Sequence, residues 1–85
     1  MSKDAPLYGV AVSPTTPVAN GPITQREIEC LQCLARGASN EEIATALGIS
    51  VSTVAMHLRN ARIKMGATTR EHAVALAVTQ KLISI

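Results

Sequence analysis

From Ile23 onward, apolar residues recur at helical spacing in four runs, each opened by a polar cap. In the first, Ile28, Leu31, Leu34 and Ala35 share a face. The stretch "TQRE" before them is a capping box: the Thr24 hydroxyl accepts from the Glu27 amide, and the Glu27 carboxylate reaches back to Thr24. Ile23 and Ile28 flank it as a hydrophobic staple, and Gly37 stops the run. "SNEE" repeats the box with Ser39 and Glu42, and a short stripe of Ile43, Ala44 and Leu47 ends at Gly48. The third run starts almost at once. Ser50 caps it, Ile49 staples onto Val54, and Gly66 closes it. Val51, Val54, Leu58, Ala61 and Met65 point one way, while Ser52, Ala55, Met56, Arg59 and Ile63 lie roughly opposite. Thr68 and Glu71 form the expected box of a fourth helix, from about Thr69 to Lys81. Its "AVALAV" is apolar all the way round, whereas a surface helix shows one apolar stripe. Ala73, Leu76 and Ala77 are assigned to the core, which leaves Val74, Val78 and the Ala75 side for a second partner.

This pattern makes the chain all-α, with one helical domain over 23–85 and an extended arm or linker over 1–22. The arm reading rests on Pro6, Pro14, Pro17 and Pro22, because proline removes a backbone donor and restricts its neighbour. "LYGVAV" within it is interrupted by Gly9 and makes a poor signal peptide, and no apolar run reaches membrane-spanning length. A cytoplasmic protein without membrane contact is expected.

Composition narrows the function. Phe and Trp are absent and Tyr8 is the sole aromatic residue, so the core is expected to be aliphatic, and the composition does not suit base stacking on aromatic platforms of the RRM or OB type. The net charge is only +2, but its distribution is uneven. Thr24 to Ile49 carries Glu27, Glu29, Glu41 and Glu42 against Arg26 and Arg36. Ser50 to Arg70 carries Arg59, Arg62, Lys64 and Arg70 with no acid, a candidate phosphate footprint. Cys30 and Cys33 form a C-x-x-C, but inside a helical run with no βαβ pattern and no further pair of ligands, so they read as small packed residues. The spacing of His57 and His72 fits no zinc module, and His57 has no nucleophile to serve. Neither enzymatic activity nor a metal or cofactor is expected.

A short helix, a tight turn and a longer basic helix are the ingredients of a helix-turn-helix, whose second helix enters the major groove. Residues 23 to 83 resemble the LuxR-type helix-turn-helix family, also called LuxR/FixJ/GerE. The likeness runs through "ITQRE", "LARGASNEEIATALGIS", "STVAMHLRNARIKMGATTR" and "HAVALA" in register. "ECL" and "HLRNA" lie closer to the quorum-sensing members than to the response regulators. Only some 22 residues precede Thr24 where those members carry a sensor, so a chain without a sensor domain is expected.

The resemblance implies a four-helix domain that binds double-stranded DNA as a dimer, with the third helix in the groove and the fourth at the dimer interface. Thr53 matches a position that meets phosphate in the family, Val54 a core position, and Arg59 a position often basic and aimed at DNA. Two departures stand out. Ala55 replaces a common lysine and can offer only a methyl contact, as can Met56, for instance to thymine. Glu71 and His72 stand where the family's acid lies one place along. The expected DNA contacts are therefore Ser52, Thr53, Ala55, Met56, Arg59, Arg62 and Lys64, and the expected dimer contacts are Val74, Ala75, Val78 and Lys81. The function implied is a sequence-specific, homodimeric transcriptional regulator. The alternative is an interaction module that pairs with a longer LuxR-type relative and inhibits it.

Overall fold

The computed structural model describes residues 21–85, so the arm expected over 1–22 lies almost wholly outside the described residues. Four helices follow, as expected: α1 (Gln25–Ala35), α2 (Asn40–Leu47), α3 (Val51–Lys64) and α4 (Arg70–Thr79), with no strand among the described residues. Both first boxes close. Glu27 N donates to Thr24 Oγ1 at 3.2 Å and Thr24 N to Glu27 Oε1 at 2.9 Å. Ser39 and Glu42 make the equivalent pair at 3.1 and 2.8 Å. Ser50 caps α3 by accepting from Thr53 N at 3.1 Å.

The fourth cap differs from expectation. Thr69, not Thr68, is the cap and accepts from His72 N at 3.0 Å. His72 Nδ1 accepts from Thr68 N at 3.1 Å, a bond an acid would have made in the expected box. Two adjacent threonines offered two registers, and the backbone took the second. The end of α4 also falls short of the expected Lys81. It stops at Thr79, and Lys81 holds a left-handed φ of 62°, a conformation normally left to glycine. Leu82 N then donates to Ala77 O at 2.9 Å and the chain turns back. Ile83 becomes part of the core, and Ser84 exchanges two hydrogen bonds with the Gln32 side chain at 2.6 and 3.1 Å.

The core is built from Leu31, Ile43, Val54 and Leu58 with the small residues Cys30, Ala61, Ala73 and Ala77, which let the helices approach closely. α1 and α3 each pack against all three other helices. α4 therefore lies against both of them, and this accounts for its apolar circumference. Val74 and Val78, expected to lack an intramolecular partner, are half-buried against the core, and only Ala75 of that strip is exposed. Among the described residues, no helix is long and apolar enough to cross a membrane.

Candidate nucleic-acid interface

Gly48 takes φ 69°, which closes α2 and lets Ile49 N reach back to Ala44 O at 3.0 Å. Two residues later α3 begins. The turn leaves α3 with a buried face of Val54, Leu58 and Ala61 and an opposite face of Ser52, Ala55, Met56, Arg59 and Ile63, all exposed. The outer face carries one cation and no acid. Its apolar members are unusually bare: Ile63 is 45% and Met56 37% exposed.

The expected DNA contacts separate into three groups. Ser52, Ala55, Met56 and Arg59 are brought together on that face. Thr53 and Arg62 sit half-buried on its two edges. Thr53 Oγ1 lies 2.8 Å from Ser50 Oγ, and Arg62 Nη1 donates to Ala67 O at 3.3 Å. Lys64 is elsewhere. Its ammonium meets both Glu27 oxygens at 3.0 Å and Pro22 O at 3.2 Å. The Lys64 side chain is only 9% exposed, so its charge is taken up inside the fold. Ile63, absent from the expected contacts, is exposed on the same face, where helical spacing places it.

Cys30 is fully buried and Cys33 half-buried within α1. Both lie in the helix interior, away from the α1 N-terminus that would lower a thiol pKa. Burial pushes the Cys30 thiol up to about 11, with Cys33 adding to the effect, so it stays a protonated packing group at neutral pH. The Asn60 Oδ1 is buried without a hydrogen-bond partner among the described residues.

The family model of "Bacterial regulatory proteins, luxR family" matches residues 21–77. The chain belongs to the luxR family. It is 40% identical over 63 residues to the HTH-type quorum sensing-dependent transcriptional regulator VjbR of Brucella abortus, covering 74% of this chain and 24% of VjbR. The chain thus spans about a quarter of the length of that curated relative. Among solved structures, transcription factor GerE superimposes with a TM-score of 0.70 at 34% identity, covering 72% of this chain and 91% of GerE. VqmA of Vibrio cholera, solved with a ligand and DNA, gives a TM-score of 0.67 at 31% identity, covering 92% of this chain and 33% of VqmA.

Two long-range side-chain pairs tie helices of this luxR-family domain together. Glu27 and Lys64 tie the start of α1 to the end of α3, and Asn40 Oδ1 accepts from Arg70 Nη1 at 3.0 Å, tying the start of α2 to the start of α4. All four residues lie within segments that carried the sequence resemblance. Glu27 and Lys64 fix the end of α3, and Asn40 holds Arg70 at the start of α4.

Proposed function

We propose that this chain is a sequence-specific, double-stranded-DNA-binding transcriptional regulator that acts as a homodimer. The observation that carries the reading is the outer face of α3: five exposed residues, one arginine, no acid, set against an inner face on which Val54, Leu58 and Ala61 are buried and Val51, expected there, is exposed. The likeness to VqmA, solved in complex with a ligand and DNA, supports it. In this reading α3 lies in the major groove. Arg59 donates to a guanine edge, and Ala55 and Met56 meet thymine methyls. Ser52, Thr53 and Arg62 hold the flanking backbone, and the α4 residues Val74, Ala75, Val78 and Lys81 pair the two copies. Lys64 is left out, because Glu27 already neutralises it.

The test is to select duplexes from a random pool with the full chain, then titrate Arg59→Ala on the best one. Loss of a bidentate base contact costs about 1–3 kcal/mol, so the variant should bind roughly 5- to 150-fold more weakly with an unchanged melting temperature. Wild-type affinity in that variant would mean that α3 is not the reading helix.

A second reading has one observation in its favour. Ala55 is exposed on the outer face and can donate nothing. A domain that pairs with a longer luxR-family regulator and disables it would need no strong reading face. Failure of the isolated chain to bind any selected duplex at moderate salt, with capture of such a regulator, is the outcome that favours this reading.

A further inference from the structure

Beside the outer face of α3 lies a groove of about 390 Å³. Arg59 and Arg62 of α3 line it together with Arg70, the first residue of α4. Asn40 and Thr68 contribute to its wall, and Glu71 is the only acid there. Two of the three arginines are held by neighbouring oxygens. Arg70 Nη1 is fixed by Asn40 Oδ1 at 3.0 Å, and Arg62 Nη1 by Ala67 O at 3.3 Å. Among the described residues no carboxylate pairs with Arg59 or Arg62. The single acid, Glu71, lies 3.8 Å from Arg70 Nε with its side chain 79% exposed, a solvent-screened contact of little strength.

Three guanidiniums facing one concavity repel each other, and one screened carboxylate does not offset that. An anion that accepts from Arg62 and Arg70 does, and it leaves Arg59, at the edge shared with the outer face, free for the base contact. Guanidinium forks match the oxygens of a phosphate, and each such bond is charge-assisted. The starts of α2 and α4 also meet here, through Asn40 and Arg70, so both helix dipoles add positive potential.

We propose that this groove seats one backbone phosphate of a bound DNA duplex. The proposal rests on the DNA-binding reading above and deepens it: it adds Arg70 as a contact residue held by Asn40, and Glu71 as a repulsive group that keeps affinity down. The groove's position favours a phosphodiester over a free anion. Arg59 belongs both to the groove wall and to the exposed α3 face, so a strand flanking the helix passes directly over the three arginines.

The experiment uses the full chain on its best selected duplex and on a random-sequence duplex. Glu71→Gln should tighten binding to both, and Glu29→Gln, the same charge change on α1, should not. Arg70→Gln should weaken both about tenfold and flatten the slope of log affinity against log salt by about 0.9, one phosphate's worth. Single methylphosphonate replacements along the selected duplex should reveal one phosphate per half-site that matters to wild type and not to Arg70→Gln. Should Arg70→Gln fail to fold, Glu71→Gln decides, because a gain in affinity cannot come from unfolding. If wild type binds but Glu71→Gln behaves like Glu29→Gln, the groove holds no phosphate while the DNA reading stands. If wild type binds no duplex, that reading fails and takes the proposal with it. A melting temperature raised by inorganic phosphate at matched ionic strength, with duplex affinity untouched by either groove variant, assigns the seat to a free anion and overturns the proposal.

Discussion

The Lys64 ammonium and the Glu27 carboxylate meet at 3.0 Å with 9% and 4% of their side chains exposed. Glu27 is also the second half of the α1 capping box, accepting from Thr24 N through the same oxygen that Lys64 touches. One carboxylate thus ends a helix cleanly and joins that end to α3. Removing the lysine leaves a buried anion with one backbone donor, and breaking such a pair costs about 3–5 kcal/mol. Lys64→Met should therefore lower stability by that order in chemical denaturation. At a temperature where it remains folded, the salt slope of its DNA binding should equal that of wild type. A slope reduced by about 0.9 would instead restore Lys64 to the set of phosphate contacts. The sequence could name Lys64 as basic and Glu27 as a cap, since both follow from local spacing. It could not show that the two are neighbours, because they lie 37 positions apart, at the start of α1 and the end of α3. Arg59 was legible for the opposite reason: helical periodicity alone puts it opposite Val54 and Leu58.

At the scale of the element, local chemistry sets three helix starts without ambiguity, and each has a single eligible Ser or Thr before an apolar stripe. α4 had two adjacent threonines and a histidine in place of an acid, so its register was not fixed by spacing. Its end carries no glycine, and Lys81, within the expected helix, is the left-handed residue that terminates it. A non-glycine residue in that conformation costs about 1 kcal/mol or more. Lys81→Gly should recover about 1 kcal/mol, which for a domain of this size raises the melting temperature by about 4–8 °C. The open position around Lys81, which lines the shallow groove with Leu82 and Ile85, means that no packing is lost in the exchange. An unchanged or lowered melting temperature would show that the Lys81 side chain contributes more than its backbone costs.

For the whole molecule, the apolar circumference of α4 meant two neighbours, and the sequence could not say whether both belong to the same chain. α1 and α3 are those neighbours, and Val74 and Val78 give much of their surface to them. What remains for a second copy is the exposed Ala75, the outer parts of Val74 and Val78, and Lys81 beyond the helix end. An interface so small, with alanine at its centre, predicts a weak dimer in solution and a firm one only when DNA holds both copies. Two-fold pairing there would set the two α3 helices about one DNA turn, roughly 34 Å, apart. The choice of variant follows from burial. Val78→Glu would place a carboxylate against the core and unfold the domain for reasons unrelated to pairing. Ala75→Glu places it on an exposed site, where the fold tolerates it, and sets like charges face to face across the two-fold axis. Analytical ultracentrifugation should find this variant monomeric at concentrations where wild type is partly dimeric, with equal helical content by circular dichroism. Its affinity for a duplex with two half-sites should fall toward that for a single half-site, while the single-site affinity stays as in wild type. Dimerisation and two-site affinity unaffected by Ala75→Glu would move the interface away from α4.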